Sequence, residues 1–175
     1  MRTPRPASAS HHAHDDGPTL LFSDHHRELE LECRELLSRT YSDDLLELID
    51  AYRCFERAVL DHLAAEESTV LPAYAEIAPE EAHLIRQSHA DIRQQLAAIG
   101  VEVELHIVRA QTVSRLVDTL RAHARREDAA MYPWAQHHLP LHDKRHLFVT
   151  LGLSLRRMAG LRARRQAALA EHRPA

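Results

Sequence analysis

HLAAEESTVLP (residues 62–72) and HARREDAAMYP (residues 123–133) are two versions of one phrase. In each, a glutamate follows a histidine by four residues and a proline follows it by ten. A helix stacks residues i and i+4 on the same face, so His62 with Glu66, and His123 with Glu127, each aim a nitrogen and an oxygen donor at one point. Such a pair is a metal-ligand pattern, and its recurrence points to a helical protein built from two related halves.

The chain has 175 residues, enough for one domain with a well-buried core and too few for two ordinary ones. Glycine is rare, at 4 residues, while Ala, Leu, Glu and Arg dominate, and these side chains lose little rotamer freedom in a helix. The fold class expected is all-α. Histidine is the compositional outlier, at 15 residues, and it is the commonest metal ligand. The formal charge of −4 is mild, and no nucleic-acid partner is expected. Cys33 and Cys54 lack CxxC spacing, which excludes a zinc ribbon or a disulfide framework and leaves two buried free thiols. No run approaches the ~20 apolar residues that would span a bilayer, and the N-terminus has no apolar signal core, so a cytoplasmic protein without a membrane partner is expected.

Residues 1–18 are rich in Pro, Ser, Ala and His without periodicity, and read as a disordered, solvated tail carrying His11, His12 and His14. From Thr19, apolar residues at three- and four-residue steps mark helix A, to about Arg39. Ser42, Asp43 and Asp44 offer caps for helix B, which should end or kink at Pro72. Pro79 with Glu80 and Glu81 suits the first turn of helix C, which is expected to stop at Gly100. Val101, Val103, Leu105 and Ile107 alternate with period two and predict an extended connection before helix D, from near Val108 to Pro133. A fifth helix, from about Asp143 to Ala170, shows Leu147, Phe148, Leu151, Leu155 and Met158 on one side and arginines on the other. The organisation expected is therefore a tail (1–18), an antiparallel up-down four-helix bundle (19–136) and an additional C-terminal amphipathic helix (137–175) that packs on the bundle or makes a homodimer. His138, His142 and His146 also step by four, but Pro140 interrupts them, and an ordinary polar helix start is the better reading.

In an up-down bundle two residues share a height when the turn lies midway between them. The midpoint of His26 and His62 is residue 44, that of Glu66 and His89 falls beside Pro79, and that of His89 and His123 is residue 106, after Gly100. Each falls where the local sequence independently wants a turn. Six candidate ligands therefore converge: His26, His62, Glu66, His89, His123 and Glu127. Four imidazoles and two carboxylates exceed the needs of one ion, whereas two ions bridged by Glu66 and Glu127 would use them all. Laying His26 over His89 places Leu29 over Ile92 and Cys33 over Leu96, so the A–B hairpin repeats as C–D. That repeat favours His26 over its neighbour His25; His25, Glu67 and Asp128 are the weaker candidates. Tyr132 and Trp134, beside Pro133, are expected to pack at the bundle end, with a hydrogen bond from Tyr132 to the ligands as the alternative.

His-x-x-Leu on the first helix, His-x3-Glu before a proline on the second, His-x-x-Ile on the third and His-x3-Glu on the fourth resemble the hemerythrin-like family of HHE cation-binding domains over residues 20 to about 136. The resemblance implies two non-heme iron ions with carboxylate and oxo or hydroxo bridges, open to O2, NO or peroxide. Two departures stand out. Oxygen carriers of the family have His-x3-His on the third helix, whereas here Ile85 stands four residues before His89. They use His-x4-Asp on the fourth helix, whereas here Glu127 and Asp128 are both present and the repeat favours Glu127. Losing an imidazole opens a coordination position and weakens the case for reversible oxygen carriage. The leading expectation is binding, sensing or detoxification of a small diatomic ligand or peroxide. A di-iron enzyme with catalase-like or peroxidase-like activity is the first alternative, and a zinc-binding or metal-free helical interaction module the second. Imidazole and carboxylate also suit zinc and manganese.

Overall fold

The computed structural model of the chain describes residues 17–41 and 44–171, with side chains over 24–41 and 44–167. Among those residues all regular structure is helical: α1 (Gly17–Arg39), α2 (Leu45–Thr69), α3 (Leu71–Ile77), α4 (Pro79–Glu104), α5 (Ala110–Arg126), a π-helical turn (Glu127–Met131), α6 (Tyr132–His138) and α7 (Leu141–Glu171). Residues 1–16 of the expected tail, with its three histidines, and the capping candidates Ser42 and Asp43 lie outside the described residues. Gly17 and Pro18, read as tail, are the start of α1.

Asp44 caps α2, its carboxylate accepting from the Glu47 N–H at 3.1 Å. At Pro72 the chain kinks rather than turns away. Val70 keeps helical angles (φ −90°, ψ −51°) and its N–H still reaches the Glu66 carbonyl at 2.9 Å, while Pro72, which has no N–H to offer, opens α3.

Helix α4 corrects two expectations, because it runs through Gly100 to Glu104 and residues 101–104 are helical rather than extended. Gly100 is there for close approach: a Cβ would stand 2.8 Å from the Tyr52 hydroxyl, which donates to the Leu96 carbonyl at 2.7 Å. Of the four alternating apolar residues, the helix buries Val103 and leaves Val101, Leu105 and Ile107 exposed. Local backbone bonding, invisible to hydropathy, decides the outcome. The Ile107 N–H reaches the Glu102 carbonyl at 2.9 Å and the His106 N–H the Val103 carbonyl at 3.1 Å, a Schellman closure. That closure holds His106 at φ 59°, in the left-handed region that favours glycine. His106→Gly is therefore expected to stabilise the fold by about 1 kcal/mol, raising Tm by about 2–4 °C in thermal denaturation; an unchanged or lower Tm would count against the strain.

Two apolar clusters fill the interior. One gathers Leu29, Cys33, Leu36, Phe55, Val59, Leu63, Ile92, Leu96, Ile99 and Leu116. The other gathers Val70, Leu71, Ala82, Ile85, Met131, Tyr132, Leu147 and Leu151. Buried His25, His62, Glu66, His89, His123 and Glu127 belong to neither. Buried carboxylates are rare unless paired or coordinated, so this polar set is where function is to be sought.

Helix α7 packs on α1 and α2 and buries Leu147, Leu151, Ser154 and Met158, the first two within the second cluster and Met158 within the first. Phe148, expected on the buried side, is 62% exposed, because one residue beyond Leu147 is a rotation of about 100°. Two of the arginines expected to face solvent are anchors. Arg162 reaches Glu28 at 2.6 Å and Glu32 at 3.1 Å, and Arg165 reaches Glu32 at 2.5 Å.

Candidate metal centre

Four long elements deliver the polar set: α1 carries His25 and His26, α2 carries His62 and Glu66, α4 carries His89, and α5 with the π turn carries His123 and Glu127. The structure gathers the six candidates into two overlapping sets. His26, His62, Glu66 and Glu127 form one; Glu66, His89, His123 and Glu127 form the other, and within each set the four donor atoms lie within 4.8 Å of one another.

Both carboxylates belong to both sets, and each divides its two oxygens between them. Glu66 turns Oε1 toward His62 Nε2 (3.5 Å) and Oε2 toward His89 Nε2 (3.3 Å). Glu127 turns Oε2 toward His26 Nε2 (3.5 Å) and Oε1 toward His123 Nε2 (3.0 Å) and His89 Nε2 (3.5 Å).

The weaker candidates stand one layer back. Glu67 accepts from His89 Nδ1 at 2.8 Å and is itself clamped by Arg93 at 2.7 and 2.8 Å. Asp128 lies 3.6 Å from His26 Nδ1. Carboxylates on the far nitrogen of a ligand imidazole fix its orientation and raise its basicity. His25 is fully buried and belongs to neither set; its ring stacks on that of His62 at 4.8 Å between centroids. His138, at the end of α6, bonds the Trp134 carbonyl, and His142, in the first turn of α7, pairs with Asp143, so neither joins the donor sets.

Electrostatics in the metal-free chain follow from this crowding. Burial pushes the Glu66 carboxyl up, and the charge of Glu127 adds to it. For Glu127 burial acts the same way, but the imidazoles of His123, His26 and His89 beside it outweigh burial and hold the carboxyl well below the usual range. Burial opposes the charged form of His26 and His89, yet their carboxylate partners prevail and raise them to about 9 and about 10. For His25 burial, aided by His26, lowers the value to about 3.

Does this donor set fit a metal? His89 Nε2, His123 Nε2, Glu66 Oε2 and Glu127 Oε1 are buried and have no hydrogen-bond partner, although they converge. Leaving such groups unsatisfied costs about 1–3 kcal/mol each, and one cation in their midst would satisfy all four. The residues fit. Metal binding must displace the protons that His26 and His89 hold below about pH 9 and 10. Apparent affinity is therefore expected to rise with pH, up to about a hundredfold per unit while two protons are released, more slowly between about pH 9 and 10, and to level off above about pH 10. Metal titrations at pH 6, 7 and 8 measure this; a flat or falling series would contradict it.

The site's least expected member is Tyr132, fully buried between the ligands. Its hydroxyl lies 3.2 Å from His26 Nε2, 3.4 Å from His62 Nε2 and 3.1 Å from Glu127 Oε2, and it donates to Glu66 Oε1. Burial, then the charges of Glu127 and Glu66, raise the phenol well above its ordinary pKa. Five residues separate Tyr132 from Glu127, which in an α-helix would leave them about 140° apart. The π turn closes that gap: the Tyr132 N–H bonds the Glu127 carbonyl, an i→i+5 link that stacks the two side chains. Pro133 contributes, having no N–H for the α-helical bond to residue 129.

A cavity of about 460 Å³ opens between α1 and α5 and reaches His26, His62 and His123. Leu29, Cys33, Val117, Leu120 and Ala124 line it, and the Glu30–Arg121 pair, at 2.8 Å, stands beside them. Burial pushes the Cys33 thiol up to about 12, so it acts as an apolar wall rather than a nucleophile.

The description "Hemerythrin HHE cation binding domain" matches residues 18–135. Neither the comparison with curated proteins nor that with solved structures found a match. No helix among the described residues is long and apolar enough to cross a membrane.

Proposed function

Because the chain belongs to the hemerythrin HHE cation-binding family, we propose that it is a non-heme di-iron protein that binds or senses O2, NO or peroxide. One observation carries this reading: Glu66 and Glu127 each present one oxygen to each of two donor sets, as bridging carboxylates must. The first iron would be held by His26 and His62 and the second by His89 and His123, with both carboxylates shared. In this reading α1, α2, α4 and α5 with its π turn are the four members of an antiparallel up-down bundle.

Iron held this way supplies one-electron redox chemistry and Lewis acidity toward small oxygen- and nitrogen-containing ligands. The chain does the rest. Apolar clusters on either side of the ligand layer exclude bulk water. Glu67 holds His89 in orientation, and Asp128 places a carboxylate 3.6 Å from the far nitrogen of His26. The cavity between α1 and α5 gives a small molecule a route to the imidazoles. Ile85, buried one turn before His89, contributes no donor, and this favours ligand turnover or sensing over reversible oxygen carriage.

Elemental analysis of the purified chain tests the centre. Close to two iron per chain is expected, two zinc or manganese would change the metal, and a folded chain that takes up no metal would overturn the reading. The cavity favours one second reading, an enzyme that decomposes peroxide. Oxygen evolution on adding peroxide to the iron-loaded chain, abolished by His123→Ala, would establish that branch, and absence of oxygen evolution would remove it.

A further inference from the structure

The two donor sets are unequal, and the difference is Tyr132. We infer that the Tyr132 phenolic oxygen is a fifth protein ligand at the His26–His62 position, leaving the His89–His123 position with one protein donor fewer. This rests on the two-metal reading above.

The geometry comes from distances. Donors of one coordination sphere lie about 2.1 Å from the ion, so neighbouring donors at right angles lie about 3.0 Å apart. His26 Nε2 and His62 Nε2 are 3.0 Å apart. The Tyr132 oxygen is 3.1 Å from Glu127 Oε2, 3.2 Å from His26 Nε2 and 3.4 Å from His62 Nε2, and closer still to Glu66 Oε1. It thus keeps an edge-length spacing to three of the four donors and touches the fourth. A phenol has one hydrogen to donate and can satisfy one acceptor. Its lone pairs could accept from an imidazole N–H, but Glu66 Oε1 and Glu127 Oε2 are both acceptors, and one hydrogen cannot serve the two.

The second set has no counterpart. In the other half of the repeat the position matching Tyr132 is Leu71, fully buried in the apolar cluster. Ile85, beside His89, is equally apolar. The π turn, which stacks Tyr132 over Glu127, is likewise confined to one half among the described residues. On coordination the phenolic O–H bond breaks, the oxygen–metal bond forms and the proton leaves to solvent, with no change in electron count.

Resonance Raman spectroscopy of the iron-loaded full chain, excited in its visible absorption, reads this directly. Tyrosinate ring modes are expected, shifted by ring-deuterated tyrosine and lost in Tyr132→Phe, with at least tenfold weaker binding of one of the two irons. Two bound irons without such modes, or modes unchanged in Tyr132→Phe, would overturn the inference. Should Tyr132→Phe fail to fold, the native spectrum still decides, because absence of the deuterium shift excludes a tyrosine ligand. Iron content measured on the same sample separates the two ideas: no iron defeats the di-iron reading, whereas iron without tyrosinate modes defeats this one alone.

Discussion

Alanine at Glu66 is expected to empty both metal positions at once, because the side chain supplies one oxygen to each donor set. Removing a group that merely orients a ligand typically costs 10–100-fold in metal affinity. That is the loss expected for Glu67→Gln, since among the candidate ligands Glu67 touches only the far nitrogen of His89. Loss of a shared ligand should exceed it at both positions, taking the content of the purified chain from about two ions toward none. The variant should nonetheless fold. In the metal-free chain Glu66 is a buried carboxyl whose pKa burial pushes up, and alanine relieves that desolvation. Elemental analysis beside circular dichroism separates the outcomes: a folded Glu66→Ala chain with its full metal content would refute the shared-carboxylate arrangement.

The second large effect lies away from the centre. Glu32 is 1% exposed and receives Arg162 and Arg165 from α7, so Glu32→Ala leaves two guanidinium groups against a buried gap. Breaking a buried ion pair from one side costs about 3–5 kcal/mol. The two arginines keep some contact with water here, and Arg162 keeps Glu28, which brings the expected cost to about 3 kcal/mol. Denaturant titration should show it, together with earlier proteolysis within α7. Metal content should not change, since α7 supplies none of the candidate ligands. A loss below about 0.5 kcal/mol would mean that apolar contacts alone seat the helix.

What the sequence made legible were the relations fixed by helix geometry. His62 with Glu66, and His123 with Glu127, could be paired because i and i+4 share a face whatever the tertiary fold. His26 and His89 followed from equal rise on either side of a turn. Less visible was anything decided by a local departure from α-helix. The alternation of Val101 to Ile107 imitated an extended segment, yet backbone bonds from His106 and Ile107 close a helix there. Phe148 seemed to share the face of Leu147 because a stripe drawn by eye tolerates a neighbour that a rotation of 100° does not. Tyr132 is expected from the sequence first as bundle-end packing and second as a hydrogen-bond donor to the ligands, and spacing does not show the π turn that brings it over Glu127. One clue was available: the repeated phrase has Leu71-Pro72 in one copy and Tyr132-Pro133 in the other, the point at which a copy trades an apolar side chain for a donor.

The π turn can also be read as the trace of an inserted residue. Its five residues occupy a turn that an α-helix would close with one fewer. Ala129 and Ala130, within it, face solvent and contribute nothing to the interior. Deleting either would let the helix regain its ordinary winding and would leave Tyr132 four residues after Glu127, still on the same face, so that Tyr132, Pro133 and α6 keep their register. The centre's ancestry is thus open to a one-codon experiment. A deletion variant lacking Ala129 would have a plainer fourth helix, with His123, Glu127 and the phenol still on one face.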